Sequence, residues 1–150
     1  MILLVHLLFG AAVGSLLTKY PLLAIILAFL SHYFLDLFPH VEYNIESLKE
    51  KQWRKKLPSI FKIAADFCFG ILFIFLLSTN QPIVYVCAFF AILPDGLTVL
   101  NHFMPNKITG LHDELHTKKI HFLKHKKISS LWRVLSQVIT VIISVIIFKI

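Results

Sequence analysis

Five long apolar runs constrain the fold of this chain more than any other feature of its sequence. Four of them approach the roughly 20 residues of a membrane-spanning helix, and the fifth is interrupted by Pro94 and Asp95. Of the 150 residues, 57% are apolar and 15% are charged, against roughly 25% charged residues in an average soluble domain. We therefore predict an all-α fold, a polytopic membrane bundle of about five helices in a single integral membrane domain. The predicted helices cover residues 1–17, 22–38, 59–78, 82–104 and 129–150.

Two connections, at residues 40–58 and 105–128, carry most of the positive charge. In a five-helix bundle both fall on the same side of the bilayer, and the positive-inside rule assigns that side to the cytoplasm. The first run lacks the positive segment of a secretory signal, so we expect a retained helix with a cytoplasmic N-terminus in a prokaryotic inner membrane. The second connection predicts a basic helix on the cytoplasmic surface.

The formal net charge of +7 indicates what these connections bind. No nucleic-acid-binding pattern accompanies the lysines, so we expect no nucleic acid as a partner. Basic segments beside spanning helices are attracted by anionic lipid headgroups. We therefore predict that the lipid bilayer is the partner of both connections.

Ionisable residues inside the apolar runs give the strongest functional signal. A charge at membrane depth is costly, so each such residue is a candidate for a functional site. When helix directions alternate, these candidates fall in one layer at the cytoplasmic end, about one to three turns inside the runs. The mixture of imidazoles and carboxylates predicts a metal centre. Its predicted ligands are His6, His32, Asp36, Asp95, His112 and His116.

The second predicted helix supplies two of these ligands. His32 and Asp36 are four residues apart and therefore share one face of a helix, so the pair can grip a single ion. Pro39 disfavours helical backbone at Phe38 and turns the chain outward. This turn makes His40 a weaker candidate.

The fourth run and the connection after it supply three more ligands. Asp95 lies between Pro94 and Gly96, a pattern that predicts a helix break and frees backbone groups to line a cavity. His112 and His116 are four apart in HDELH, a spacing that suits one ion bound from a helix. The order differs from the metalloprotease motif H-E-x-x-H, so a metalloprotease is not indicated.

Three further histidines or acids are open to more than one interpretation. His6 repeats at four-residue spacing with Gly10 and Gly14, so this face predicts close helix packing with His6 as a ligand or as a histidine bonded to neighbouring backbone. Asp66 is a candidate general base or further ligand, or it forms an ion pair with Lys62. His121 alternates with lysines, which predicts a surface position, as for His125.

Several of these motifs resemble those of the LexA-regulated, membrane-bound metal-dependent hydrolases and their small relatives. The resemblance lies in HLLFGAAVGS at residues 6–15, SHYFLDLFP at 31–39, LPDG at 93–96 and LHDELHT at 111–117. The His-x-x-x-Asp element is also similar to motifs of the zinc-dependent phospholipase C and nuclease group. The resemblance covers most of the chain and implies a metal-dependent hydrolase.

The predicted ligand set suits a divalent metal, with zinc favoured for hydrolysis and iron or manganese as alternatives. The expected function is hydrolysis of a phosphoester, on a small molecule or a lipid. A membrane di-iron oxygenase is less favoured because the chain has no adjacent pair of histidines. A non-enzymatic metal-binding protein, a structural membrane protein or a small transporter remains an alternative, because the sequence identifies no nucleophile.

Overall fold

The computed structural model describes residues 2–41, 53–121, 123 and 128–150. Within these residues the secondary structure is entirely helical, which confirms the all-α prediction. The elements are α1 (Leu3–Leu16), α2 (Pro21–Asp36), α3 (Trp53–Leu77), α4 (Pro82–Phe103), α5 (Lys107–Glu114), a π-helical segment (Leu115–Ile120) and α6 (Ser130–Ile147).

Three helices are long and apolar enough to cross a membrane. They are the Leu57–Leu77 part of α3, the whole of α4, and α6. The other two apolar helices, α1 and α2, have 14 and 16 residues and are shorter than a full span. Many large apolar side chains, such as Phe61, Phe75 and Ile146, face outward, as expected for helices surrounded by lipid. The fold is therefore consistent with a helical membrane protein.

The largest differences between the predicted and the observed helices are at Pro94 and at the start of α3. The predicted break at Pro94–Gly96 is wrong, because α4 continues from Pro82 to Phe103. A proline removes only one helical hydrogen bond, and apolar helices tolerate it when neighbouring groups satisfy the backbone. In addition, α3 begins at Trp53 rather than at residue 59, since a helix can extend past its apolar run into a polar turn.

Parts of the two predicted basic connections lie outside the described residues. These parts are residues 42–52 in the first connection and residues 122 and 124–127 in the second. The described part of the second connection is helical, as predicted, and α5 with the π-helical segment packs against α4 and α2.

The central element of the bundle is α1, which packs against α2, α3, α4 and α6. Its glycines allow α4 to approach closely. A Cβ atom at Gly10 would lie 2.4 Å from Ala91 Cβ and 2.8 Å from the Cys87 carbonyl oxygen, and one at Gly14 would lie 3.0 Å from Cys87 Cβ. Helix packing through the Gly-x-x-x-Gly face is thereby confirmed. This contact fixes the start of α1, and with it His6, relative to α4.

Candidate metal centre

The carboxylate of Asp36 lies at the middle of a buried cluster of histidines. Its side chain is 0% exposed, and five imidazoles direct their Nε2 atoms toward it. The Nε2 atoms nearest to Oδ1 belong to His6 (3.2 Å) and His40 (3.7 Å). The Nε2 atoms nearest to Oδ2 belong to His32 (3.1 Å), His121 (3.1 Å) and His116 (3.3 Å). One carboxylate thus organises ring nitrogens from four separate segments of the chain.

Four of the predicted ligands form a compact group that could hold a metal ion. One donor atom each from His32, Asp36, Asp95 and His116 lies within 4.8 Å of the others. The Nε2 atoms of His32 and His116 are 3.0 Å apart, and His32 Nε2 is 3.6 Å from Asp95 Oδ1. A tetrahedral zinc ion with bonds of about 2.0 to 2.1 Å separates its ligand atoms by about 3.3 to 3.4 Å. The two observed distances, 3.0 and 3.6 Å, are close to this ligand-to-ligand distance.

The hydrogen bonds behind His32 fix which nitrogen faces the cluster. Its Nδ1 lies 2.8 Å from the carbonyl oxygen of Ala91. Because a carbonyl only accepts, Nδ1–H is the donor, and in a neutral ring Nε2 carries a lone pair. That lone pair points at the Asp36 carboxylate, which is also an acceptor when ionised. Metal-bound histidines show this same backing of the second nitrogen by a carbonyl.

His40 has the same arrangement although it lies beyond the end of α2. Its Nδ1 donates to the carbonyl oxygen of Phe38 at 2.7 Å, and its side chain is 4% exposed. Two groups of α6 hold this stretch: Arg133 donates to the His40 carbonyl at 3.2 Å, and the Ser136 hydroxyl donates to the Pro39 carbonyl. The chain leaves the helix before His40, as predicted, yet its side chain turns back toward Asp36.

The π-helical segment places His116 and His121 together. The His121 amide donates to the His116 carbonyl at 3.1 Å, the five-residue step of a π-helix. In a regular α-helix these two residues would point about 140° apart, but here their Nε2 atoms are 3.3 Å apart. His121 is buried, so the predicted surface position is wrong. His125, the other predicted surface histidine, lies outside the described residues.

His116 is oriented by Thr98 of α4, whose Oγ1 lies 3.2 Å from His116 Nδ1. The ring is buried, and this burial lowers the pKa of His116 below its ordinary value. A lowered pKa keeps the imidazole neutral at physiological pH. The neutral ring is the form that binds a metal.

His6 and Tyr33 complete the surroundings of the cluster. The His6 ring is completely buried and stacks on the His32 ring with centroids 4.1 Å apart. Among the described residues its Nδ1 has no hydrogen-bond partner. Tyr33, which the sequence did not single out, packs edge-on against His32 and His116 at centroid distances of 5.6 and 5.9 Å.

Two predicted site residues are not brought into the cluster. His112 stacks on His116, and its Nε2 donates to the Pro94 carbonyl at 3.0 Å. Asp66 lies beside the N-terminus of α1, where its Oδ2 accepts from the Leu4 amide at 2.9 Å. Neither residue belongs to a group of facing donor atoms within the described parts of the chain.

No protein-family model, curated protein or solved structure matches this chain. The resemblance to LexA-regulated hydrolases therefore remains a prediction. The cluster itself is a His/Asp group that could hold a metal ion.

Proposed function

We propose that this protein is a membrane-bound, metal-dependent hydrolase that acts on a phosphoester, with a lipid-linked phosphoester as the favoured substrate class. The observation that carries the proposal is the group formed by His32, Asp36, Asp95 and His116, whose donor atoms all lie within 4.8 Å of one another. The motif resemblance described above supports the same chemistry.

Neutral imidazoles and carboxylates suit zinc, with iron and manganese as alternatives. A divalent ion bound by these residues would polarise a phosphoryl oxygen and lower the pKa of a coordinated water toward about 7. The carboxylates of Asp36 and Asp95 would offset the charge of the ion, and the carbonyl behind His32 would keep its Nε2 directed at it.

Among the cluster residues that the structure describes, Asp95 has the most exposed side chain. The Asp95 side chain is 26% exposed, whereas those of His32 and Asp36 are 0% exposed. We infer that substrate enters at the Asp95 edge. Tyr33 is half-buried and lies beside His32 and His116, and its hydroxyl donates to His112 Nδ1 at 3.4 Å, which holds the ring at this edge. The predicted role of Asp66 as a general base is not part of this proposal, because its carboxylate accepts from the backbone of α1.

In the proposed arrangement all five apolar helices cross or enter an inner membrane, with the N-terminus in the cytoplasm. The start of α1 and the end of α2 then lie at the cytoplasmic end together with the metal centre, and α5 lies at the surface beside it. A phospholipid presents its phosphoester in the headgroup region next to this end of the bundle. Lysines of the basic connections would attract anionic headgroups to the same side.

The proposal is tested with protein purified in detergent, stripped of metal and reloaded with zinc. Hydrolysis of phosphomonoesters, phosphodiesters and phospholipids is measured with and without the metal. We expect metal-dependent turnover of at least one class, lost in His32→Ala and Asp95→Ala. His102→Ala is the matched control, since His102 is an exposed histidine on the same helix as Asp95. Tight zinc binding without turnover of any class would contradict hydrolysis and favour a metal-binding scaffold.

A further inference from the structure

We propose that the centre is dinuclear, with the Asp36 carboxylate bridging two metal ions. One ion would be held by His32, Asp95 and His116, and the second by His40 and His121, with Asp36 shared between them. This inference rests on the metal-binding part of the proposed function and does not depend on hydrolysis.

A second group of donor atoms lies beside the first one. One atom each from Asp36, His40 and His121 lies within 4.8 Å of the others, and all three residues are buried. The two groups share Asp36 and no other residue. In sites with two metal ions, the ions are about 3.5 to 4 Å apart. Asp36 Oδ2 lies 3.1 Å from the Nε2 atoms of both His32 and His121, and Oδ1 lies 3.7 Å from His40 Nε2, so this carboxylate is near both groups and can bridge such a distance.

More imidazole nitrogens surround the Asp36 carboxylate than hydrogen bonding alone explains. Five Nε2 atoms lie within 3.7 Å of the Asp36 oxygens. An ionised carboxylate has about four lone-pair sites, so it cannot accept a hydrogen bond from all five rings. Nor can five buried imidazolium ions be neutralised by Asp36 and Asp95 alone, and a buried charge without a counter-charge is very costly. Two metal cations, one between His32 and His116 and one between His40 and His121, account for four of these five rings.

Two local structural features form the second group of donor atoms. The π-helical segment rotates His121 toward His116, where an α-helix would turn it away. Arg133 and Ser136 of α6 hold the backbone at Pro39 and His40. π-Helical insertions occur frequently at functional sites. Both features direct an imidazole at the Asp36 carboxylate.

The experiment is the zinc stoichiometry of the full chain in detergent, measured by mass spectrometry of the metal against amino-acid analysis. We expect about two zinc ions per chain for the unmodified protein and for His102→Ala. We expect about one for the double variant His40→Gln and His121→Gln, about one for Asp95→Asn, and near zero for Asp36→Asn. The glutamines keep the volume and polarity of the rings, so that folding is perturbed little.

A second measurement needs no variant. Manganese-loaded protein should give the electron paramagnetic resonance spectrum of an exchange-coupled pair of ions. One ion per chain with an uncoupled manganese spectrum would overturn the dinuclear centre and leave the proposed function standing. Two ions retained in the double variant would also overturn it. No bound metal would overturn both proposals, whereas two ions without turnover would refute hydrolysis alone.

Discussion

Substituting alanine for Gly10 tests how the packing of α1 on α4 supports the metal centre. A Cβ atom there would lie 2.4 Å from Ala91 Cβ and 2.8 Å from the Cys87 carbonyl oxygen. Carbon atoms in contact are separated by about 3.5 to 4.0 Å, so α1 and α4 must move apart by about 1 Å. Because His6 is one turn from Gly10, the same movement displaces its ring relative to Asp36 of α2, whose Oδ1 lies 3.2 Å from His6 Nε2.

The loss of stability expected for Gly10→Ala is obtained by comparison with Gly96, where an added Cβ would meet nothing within 4 Å. Both glycines lie inside helices, so both gain about 1 kcal/mol in helix propensity when replaced by alanine. That gain cancels in the comparison. The overpacking at Gly10 remains, and such overpacking costs about 1 to 3 kcal/mol. Gly10→Ala should therefore be less stable than Gly96→Ala by about that amount.

The assay is thermal unfolding of both variants in the same detergent, together with zinc titration. For a chain of this size each kcal/mol corresponds to about 2 to 4 °C in Tm. Gly10→Ala should unfold at the lower temperature and bind zinc more weakly, and Gly96→Ala should match or exceed the unmodified protein. Equal Tm values for the two variants would refute the close packing of α1 on α4.

Three further predictions concern the residues around the cluster. Thr98→Val removes the oxygen beside His116 Nδ1 and should weaken zinc binding about 10- to 100-fold, as measured by titration. Thr98→Ser keeps the hydroxyl and should retain the affinity. Equal zinc affinities of the two variants would show that the hydroxyl does not orient the ring. Asp66→Ala leaves the Leu4 amide without this acceptor and should lower the free energy of unfolding by about 1 to 3 kcal/mol, more than Asp66→Asn does. The zinc content should be unchanged in both variants. Loss of zinc would instead indicate that Asp66 is a ligand. Zinc bound at pH 7.5 should be released on stepwise dialysis only below the ordinary histidine pKa of about 6.5, because protons compete with the metal for imidazole nitrogens and burial lowers the pKa of His116; release already complete above that pH would argue against buried histidine ligands.

The sequence predicted the parts of the centre that depend on regular helices. His32 and Asp36 lie on one face of α2 because residues four apart always do so. Ionisable residues in apolar runs are expensive, which drew attention to Asp95, whose Oδ1 lies 3.6 Å from His32 Nε2. The same patterns predicted the helical fold and the close packing at Gly10.

The remaining parts depend on departures from regular helices that no local pattern reveals. His121 joins the cluster only because of the π-helical segment, and α-helical spacing had turned it toward the surface. His40 returns to Asp36 because α6, distant in sequence, holds the preceding turn. The helix break predicted at Pro94 did not include the imidazoles of His32 and His112, which donate to the carbonyl oxygens of Ala91 and Pro94 in α4. The histidine itself was the available sequence signal for His121, but its alternation with lysines was the stronger local pattern and indicated a surface position.

The central claim is that imidazole and carboxylate groups around Asp36 hold divalent metal. X-ray absorption at the zinc edge, on stripped and reloaded protein, tests it most directly. The account predicts only nitrogen and oxygen neighbours at about 2.0 to 2.2 Å, with more than one imidazole per zinc. Sulfur neighbours at about 2.3 Å, which would require Cys68 or Cys87, or a zinc content near zero, would contradict it.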